Sequence, residues 1–324
     1  MCGRPGKAFW RPREDAPVLV TRGPLLAERT TLRLGGKAMA EITVPSTPDL
    51  DELAGVLTEQ TAQLGGRPMV LGEGSNILAA DRNLDLVLLR LGSRGGPELL
   101  KQDDDESRSP EGNRKVLRVR VPGALRLPRL LGWCAARGLG GLEPWMGIPG
   151  SVGGAVAMNA GSYGLEMSQV LERVLIWTPD RGGRWLDAST LQFGYRRFDS
   201  GLDHAVQLVL AAELRVEQSR PDEVRSRMRG WYDRKKLSQP ITMASAGCVF
   251  KNPDTENPAG RLLEQAGLRG FQRGAMAFSD QHANFLVNLG GGSADDAFAL
   301  LDLARERVAS RFGLELETEV KVLG

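Results

Sequence analysis

Histidine and cysteine are scarce in this 324-residue chain. With only His204 and His282 present, a histidine-rich metal site is not expected, and we predict no metal. The cysteines, Cys2, Cys134 and Cys248, are far apart and form no CxxC pair. This spacing excludes a disulfide framework and a zinc-binding cysteine cluster, and it favours a reducing cytoplasm.

The chain also lacks the signals of several partner classes. No stretch approaches 18 consecutive apolar residues, so the sequence predicts no membrane span. A formal net charge of +2 gives no reason to expect nucleic acid or an anionic membrane as a partner. Residues 1–22 have no apolar segment of the signal-peptide kind and are predicted to be a flexible N-terminal tail.

Two common phosphate-binding patterns are missing as well. No GxxxxGKS/T sequence occurs, which excludes a P-loop nucleotidase. LGEGSN (71–76) resembles the dinucleotide-binding pattern GxGxxG, but Ile77 stands where the third glycine is required. A strand rather than a helix is predicted to follow, so a Rossmann unit is not expected.

Glycine is abundant between Gly138 and Gly164. This segment has nine glycines in 27 residues, and Glu143 is its single charged residue, whereas average usage gives about two glycines. A solvated linker is usually rich in Ser, Glu or Lys. Unshielded backbone N–H groups bind phosphate oxygens well, so the run favours a phosphate-bearing cofactor. Tight turns between the strands of a sandwich are the alternative.

Helix and strand patterns alternate along the chain. Thr47-Pro48 predicts the start of a helix with Leu50, Leu53 and Leu57 on one face, ended by Gly65-Gly66. Residues 93–115 are polar and predicted to be a mobile insertion. Strands are predicted over 69–71, 86–89, 117–121, 170–177 and 206–216, and a helix over 128–137 with Cys134 on its apolar face.

The last third of the chain has a different pattern. A short helix is predicted after Asn257-Pro258 and a longer one between Ser293 and Gly313. Residues 314–323 alternate like a final strand. The pattern predicts an α+β fold in which a glycine-rich cofactor region precedes a smaller C-terminal domain that begins near Ser219.

Candidate reactive residues each have an ordinary structural interpretation. Cys248, in SAGCVFKNP, is as well explained by packing as by chemistry, although Gly247 leaves one side open and Lys251 lies close by. Arg196, in FGYRRF, fits a solvated strand end, and its guanidinium fork also suits a substrate carboxylate.

Other charged groups are equally ambiguous. Glu315, Glu317 and Glu319 alternate, which usually indicates the solvated edge of a strand. The basic segment 225–236 is typical of a solvated helix, and it also suits a diphosphate. His282 is more typical of a semi-buried structural histidine than of a base.

Taken together, the motifs of this chain resemble those of the UDP-N-acetylenolpyruvoylglucosamine reductase family. The resemblance runs from about Thr30 to Gly324. It rests on eight ordered segments: TTLRLGG (30–36), LGEGSN (71–76), GIPGSVGGAVAMNAGSYG (147–164), FGYR (193–196), SAGCVFKNP (245–253), AGRLLEQAGLRG (259–270), HANFLVN (282–288) and LETEVKVLG (316–324).

The resemblance implies a two-part FAD-binding region of the vanillyl-alcohol-oxidase type, over 23–90 and 91–218. A smaller α+β substrate-binding domain over 219–324 would follow. It implies non-covalent FAD, NADPH as the hydride donor, and a cytoplasmic bacterial enzyme that we expect to be a monomer. The implied FAD-binding residues are Gly72, Gly74, Ser75, Asn76, Gly147, Ile148, Gly150, Ser151, Gly153 and Gly154.

The resemblance also implies roles in reducing an enolpyruvyl UDP-sugar to UDP-N-acetylmuramate. Arg196 would stabilise charge on the substrate carboxylate, Cys248 would donate a proton, and Glu319 would help to polarise the intermediate. Tyr195, Lys236 and Asn252 match substrate-contact positions.

Two departures from the family pattern bear on activity. Cys248 replaces the usual serine, which predicts a more acidic and oxidisable donor and sensitivity to thiol reagents. Phe198 replaces a serine two places after Arg196, which puts a supporting hydrogen bond in doubt. The alternatives are another FAD-dependent oxidase of the same fold and a non-catalytic FAD- or nucleotide-binding paralogue.

Overall fold

The computed structural model describes residues 18–44, 50–92, 95–100 and 115–324. The predicted helix start at Thr47-Pro48, most of the predicted tail and most of the 93–115 insertion lie outside these residues. Among the described residues, no helix is both long and apolar enough to cross a membrane.

The first body is a sheet with one crossover helix. Its elements are β1 (Leu19–Arg22), β2 (Ala38–Val44), α1 (Leu50–Leu64), β3 (Arg67–Val70), β4 (Ile77–Ala79) and β5 (Leu84–Leu91). The sheet has the order β1-β2-β5-β3, with β2 and β3 parallel to β5 and β1 antiparallel to β2. The predicted tail is therefore too long, because Leu19–Arg22 form an edge strand.

The second body is an antiparallel sheet with helices on one face. Its elements are β6 (Glu98–Leu99), β7 (Val116–Pro122), α2 (Leu127–Arg137), β8 (Leu139–Gly140), α3 (Val152–Ala157), β9 (Gly161–Ser162), β10 (Leu165–Glu166), β11 (Leu171–Thr178), β12 (Gly182–Asp187), β13 (Gln192–Gly194), β14 (Arg197–Asp199), β15 (Leu208–Gln218) and α4 (Pro221–Ser238). The main sheet has the order β12-β11-β15-β7-β6. Cys134 of α2 is buried in its core, as predicted, and burial raises the pKa of that thiol to about 12.

The first two bodies share a hydrophobic core. Leu53 and Leu57, on the predicted face of α1, pack in one cluster with Trp177 and Leu210 of the second sheet. Alternate residues of β11 face opposite sides of that sheet, so Val174 and Ile176 pack into the second body's own core instead. The two bodies are therefore joined by apolar contact, and a cleft remains at one end of the junction.

The third body is a four-stranded antiparallel sheet covered by two helices. Its elements are β16 (Ala244–Cys248), α5 (Ala259–Gln265), β17 (Gln272–Arg273), β18 (Met276–Phe278), β19 (Phe285–Asn288), α6 (Ala294–Phe312) and β20 (Lys321–Leu323). The predicted end signals of α6 are present: the Ser293 hydroxyl accepts the Asp296 N–H at 3.1 Å, and Gly313 is left-handed with φ 67°.

Two details of the last third differ from the predicted pattern. The predicted strand over 314–323 is regular only at Lys321–Leu323, which pair in parallel with Ile77–Ala79 of the first body. Residues 317–319 instead follow the irregular chain after β16, through hydrogen bonds such as that from the Glu319 N–H to the Val249 carbonyl. In addition, Val224 and Met228 place α4 in the core of the second body, although it follows the predicted boundary at 219.

Candidate active site

A cleft of about 740 Å³ opens between the first and second bodies. One wall is the loop after β3, with Gly72 and Glu73. The opposite wall is the turn into α3, with Ser151, Gly153 and Gly154. The structure therefore brings together the two glycine-containing segments that the sequence assigned to one cofactor, although they are about 75 residues apart.

Glycine is required where these two loops approach each other and their surroundings. Gly150 has φ 117°, and a Cβ there would lie 2.8 Å from Ser75 Oγ. Gly74 has φ 62°, and a Cβ there would lie 2.0 Å from the carbonyl oxygen of Arg29. A larger residue at Gly150 would push the two walls apart, and one at Gly74 would displace the loop from Arg29.

The loop after β3 presents a row of unpaired main-chain donors. Within the described residues, the N–H groups of Gly72, Glu73, Gly74, Ser75 and Asn76 have no hydrogen-bond acceptor. Such a row is the arrangement that binds phosphate oxygens, because the donors are neutral and need no buried cation. This loop fits the diphosphate of FAD.

The second segment contributes fewer free donors than the sequence suggests. Ile148 donates its N–H to the Trp145 carbonyl, Gly153 to the Gly123 carbonyl, and Gly154 to Ser151 Oγ. In the described part of the chain, the N–H groups of Gly147, Gly150 and Ser151 have no acceptor. Gly153 and Gly154 therefore line the cleft without being able to donate freely into it.

Arg196 lies in a tight turn that points toward the third body. Gly194 pairs with Arg197, so Tyr195 and Arg196 form the two-residue turn of the β13–β14 hairpin. Arg196 has φ 55°, a left-handed conformation that costs a non-glycine residue about 1 kcal/mol. The guanidinium lies 5.0 Å from the Tyr195 ring centroid, and Nε donates to Glu319 Oε1 at 2.6 Å. These contacts hold the strained turn in place.

Glu319 and Cys248 come from neighbouring chain segments of the third body. Burial raises the pKa of Glu319, and Arg196 opposes that shift. For Arg196, burial acts against the charge, but Glu319 outweighs it and the pKa is raised. The pair is thus a cation held by a largely enclosed carboxyl group.

The Cys248 thiol is a neutral group in this setting. Burial, and after it the charge of Glu319, raises the pKa of Cys248 to about 12, with Arg196 acting in the opposite direction. Gly247 has open space around its Cα, as predicted. A thiol with this pKa is protonated near neutral pH, so the expected sensitivity to thiol reagents should be weaker than for an ordinary cysteine.

Tyr195, Arg196, Cys248, Asn252 and Glu319 all line one cavity of about 400 Å³. Asn252 has a structural duty as well, since its Oδ1 accepts the Ala259 N–H at 3.0 Å at the start of α5. Five of the predicted reaction and substrate residues are thus brought together.

Lys236 does not line this cavity, and it differs from its neighbour Lys235 in burial. Lys236 is exposed on α4, and its carbonyl accepts a hydrogen bond from Gln281 Nε2 at 2.6 Å. Lys235 is 2% exposed, and its Nζ donates to Ser162 Oγ at 2.9 Å. A Cβ at Gly147 would lie 3.0 Å from Lys235 Cδ, so Lys235 faces the glycine-rich segment. Burial lowers the pKa of Lys235 to about 8.

Two further residues at the site were missed by sequence reasoning. Asn159, within the glycine-rich run, donates from Nδ2 to the Gly194 carbonyl at 3.1 Å and so supports the turn that carries Arg196. The sequence signal was a polar residue in an otherwise apolar run. His204 lines the large cleft, with Nδ1 accepting the Val206 N–H at 2.9 Å, and nothing in its sequence context indicated this.

Phe198, the second departure from the family pattern, has a packing role. Its ring lies 5.4 Å from that of Phe193 across the hairpin, and it lines the large cleft.

The fold and the cleft define the class of the protein. A family model described as an FAD binding domain matches residues 49–188, which include α1, the loop after β3 and the glycine-rich segment. With Arg196 of the hairpin and the thiol and carboxyl groups of the third body beside it, this region belongs to an FAD-dependent oxidoreductase. The predicted α+β fold, FAD and enzymatic function are confirmed.

Comparison with known proteins narrows the class to one family. A second model, the C-terminal domain of UDP-N-acetylenolpyruvoylglucosamine reductase, matches residues 239–323. The reductase of Nitratidesulfovibrio vulgaris is 49% identical over 304 residues, which cover 94% of this chain and 98% of that protein. That of Bacillus subtilis is 35% identical, over 96% of each chain. The chain belongs to the UDP-N-acetylenolpyruvoylglucosamine reductase family.

A solved structure agrees with this assignment. The crystal structure of the reductase from Thermus caldophilus superposes with a TM-score of 0.72 at 32% identity, covering 95% of this chain and 99% of that one. The predicted resemblance is confirmed over nearly the whole chain.

Proposed function

We propose that this protein reduces the enolpyruvyl ether of UDP-N-acetylglucosamine to UDP-N-acetylmuramate, a step in peptidoglycan precursor synthesis. NADPH is the reductant and FAD the intermediate carrier. The observation that carries the proposal is the meeting of Arg196, Cys248 and Glu319 in one cavity beside the cofactor loops. Family membership supports the substrate class.

FAD would be held by main chain on both walls of the large cleft. The N–H groups of 72–76, and those of Gly147, Gly150 and Ser151, would bind its diphosphate. Ile148, Gly153 and Gly154 would shape the wall. FAD held there would supply the hydride, obtained from NADPH, that the terminal CH2 carbon of the substrate receives.

The residues of the third body and the hairpin deal with the charge and the proton. As the CH2 carbon gains a hydride, negative charge develops toward the carboxylate, and the permanently charged Arg196 stabilises it. The adjacent carbon then needs a proton. Cys248 supplies it from its thiol, and the high pKa of Cys248 ensures that the proton is present. Glu319 fixes the direction of the guanidinium through its hydrogen bond to Nε.

Substrate contacts would extend from this centre along α4. Tyr195 and Asn252 border the cavity that receives the enolpyruvyl group. Lys235 has no carboxylate partner in the described residues, and a buried ammonium group of this kind favours an anion. We therefore assign the diphosphate contact to Lys235 in place of Lys236.

Stopped-flow absorbance separates this function from its alternatives. NADPH should bleach the yellow flavin, and the enolpyruvyl substrate should restore it without oxygen. An oxidase of the same fold would need oxygen for reoxidation, and a non-catalytic paralogue would not be bleached. Failure of the substrate to reoxidise the flavin would contradict the assignment.

Replacement of Cys248 tests the proton donor within the same assay. Cys248→Ala should leave bleaching by NADPH nearly normal and slow reoxidation by substrate about 100- to 10,000-fold, the range expected for loss of a general acid. Cys248→Ser is the matched control, because it keeps a proton donor. Equal loss of both half-reactions in Cys248→Ala would show a structural role.

The mode of FAD attachment has its own test. Because His204 lines the cleft, a covalent histidyl link must be distinguished from simple binding. Acid precipitation should release all of the yellow colour into the supernatant. Colour that stays with the precipitated protein would favour the oxidase alternative.

We further propose a monomeric cytoplasmic enzyme. Cys134 and Cys248 are free thiols, as is usual in a reducing compartment. Light scattering on the eluting protein should give the mass of one chain.

A further inference from the structure

Asn76 is the last residue of the loop after β3 (residues 72–76, the cofactor loop). The sequence assigned it to the cofactor, but its side chain makes a hydrogen bond to the third body. Its Nδ2 donates to the main-chain carbonyl of Glu319 at 3.1 Å and lies 3.7 Å from Met158 Sδ. Its own carbonyl accepts the Lys321 N–H at 3.0 Å. The side chain and the main chain of Asn76 thus hold the two ends of segment 319–321.

Segment 319–321 carries the carboxyl group that orients Arg196. Glu319 donates its N–H to the Val249 carbonyl, next to Cys248, and its Oε1 accepts from Arg196 Nε at 2.6 Å. Asn76 is therefore one hydrogen bond from the Glu319 backbone, and Glu319 is one hydrogen bond from Arg196 and from Val249, the residue after Cys248. Asn76 is one connection between the cofactor loop and the reaction centre; Thr31, whose hydroxyl donates to the Gly74 and Ser245 carbonyls, and the β4–β20 pairing are others.

We propose that Asn76 is a positioning residue that sets Glu319, and through it Arg196, relative to the bound FAD. The proposal rests on the proposed reductase function. The Asn76 main-chain N–H remains available to the cofactor, while the side-chain amide fixes the substrate-facing groups. Because the Arg196 turn is left-handed and strained, a shift of Glu319 releases the guanidinium from its direction.

The proposal predicts a split between cofactor binding and the second half-reaction. Asn76→Asp keeps the size of the side chain but removes the amide donor. The affinity of the apoprotein for FAD, measured by quenching of flavin fluorescence, should change by about threefold or less. Bleaching by NADPH should change equally little. The rate of reoxidation at saturating substrate should fall about 10- to 100-fold, as expected for displaced reacting groups.

A double-mutant cycle distinguishes positioning from general damage. In an enzyme that already carries Glu319→Gln, adding Asn76→Asp should slow reoxidation by about threefold or less, because the group it positions is already altered. Asn76→Ala should behave like Asn76→Asp, which guards against an effect of the new carboxyl group. Additive losses in the cycle would overturn the proposal.

Asn288→Asp is a matched control, because the Asn288 side chain also joins the first and third bodies. Asn288 Nδ2 donates to the Leu32 carbonyl at 3.1 Å, the same kind of bond, while its Oδ1 accepts from Gly290 and Gly292. Asn288→Asp should lower the melting temperature without slowing reoxidation at saturating substrate. If it slows reoxidation as much as Asn76→Asp, loosening of the third body explains both.

Two other outcomes of these experiments would also contradict the proposal. A large loss of FAD affinity in Asn76→Asp with normal reoxidation once FAD is saturating would make Asn76 a cofactor ligand and overturn the proposal. If the unmodified holoenzyme itself is not reoxidised by substrate, the proposed function fails, and the inference fails with it.

Discussion

At the scale of single residues, burial has the largest influence on the ionisation of the reaction centre, and the neighbouring charges modify it. Burial raises the pKa of both Glu319 and Cys248, while Arg196 opposes both shifts. The result is a fixed cation beside a neutral thiol. A cysteine in the place where the family resemblance implies serine is therefore chemically closer to serine than its ordinary pKa suggests.

Because the Cys248 thiol stays protonated in the folded protein, the free energy of unfolding should change with pH in the alkaline range. Below about pH 8.5 the thiol is protonated in both folded and unfolded chains. Above it the unfolded thiol ionises, whereas the folded one does not until about pH 12, so the free energy of unfolding falls as pH rises. Cys248→Ser should remove this loss and gain about 1–2 kcal/mol relative to wild type at pH 10. Urea denaturation at pH 7 and pH 10 measures it, and an equal difference at both pH values would contradict it.

Replacing Lys235 should stabilise the folded protein and weaken its binding of the UDP-sugar. Its buried ammonium group has no carboxylate partner in the described part of the chain, and its pKa is lowered to about 8. At pH 7, Lys235→Met should raise the free energy of unfolding by about 1–2 kcal/mol. The advantage should shrink as pH rises through 8, because the folded wild type then loses the charge. The KM for the UDP-sugar should rise about 10- to 100-fold through loss of a charged hydrogen bond.

The neighbouring lysine is the control for this prediction. Lys236→Met alters an exposed side chain and should change the free energy of unfolding by about 0.5 kcal/mol or less. Its KM should stay near that of wild type. A raised KM in Lys236→Met with a normal one in Lys235→Met would restore the original sequence assignment.

At the scale of elements, the site depends on loops whose close approach requires glycine. The turn into α3 touches the loop after β3 at Gly150 and Ser75, and the turn of the β13–β14 hairpin projects Arg196 toward the third body. In each case a short irregular segment is held between regular elements. Strands and helices supply the frame, and the turns supply the donors and the cation.

Gly150→Ala tests the contact between the loops. Its Cβ would meet Ser75 Oγ at 2.8 Å in a backbone with φ 117°. We expect FAD affinity, measured by fluorescence titration of the apoprotein, to fall about tenfold or more, equivalent to about 1.4 kcal/mol. Gly182→Ala is the control, since Gly182 is also left-handed, with φ 63°, but has open space. It should lower stability by about 1 kcal/mol without affecting FAD affinity. Equal FAD affinities in the two variants would show that the contact is unimportant.

Local signals in the sequence predicted some elements well and others poorly. The apolar faces of α1, α2 and α6, the end of α2 at Gly138 and both ends of α6 at Ser293 and Gly313 follow from the sequence, because these signals act within a few residues. The extent of β20 depended on a partner in another body, which periodicity does not reveal. The choice between Lys235 and Lys236 depended on the rotation of α4, a helix so polar that its sequence hardly marks a buried side.

At the scale of the whole molecule, the three bodies are connected by apolar packing and by hydrogen bonds. α1 packs on the second sheet, and Leu32, Leu34 and Leu78 of the first body enter the core of the third. β4 pairs with β20 across the same junction. Lys321, Val322 and Leu323 line the cofactor cleft, so the third body also contributes to it.

Hydrogen exchange measured by mass spectrometry should report this connection. Addition of FAD to the apoprotein should slow exchange at 72–76 and 147–151, where N–H groups gain acceptors. It should also slow exchange at 318–323, because that segment is bonded to Asn76 and lines the cleft. The exposed side of α6 serves as the internal reference. Protection limited to 72–76 would show that the third body responds independently of the cofactor.

The pairing of β4 with β20 also orders events during synthesis of the chain. Ile77–Ala79 leave the ribosome about 240 residues before their partner strand exists. At about 5–20 residues per second this interval lasts about 12–50 s. During that time the first body has a core and the cofactor loop, but it lacks the residues that complete the cleft. All the residues that line the cofactor cleft are therefore present only after residues 321–323 have been synthesised.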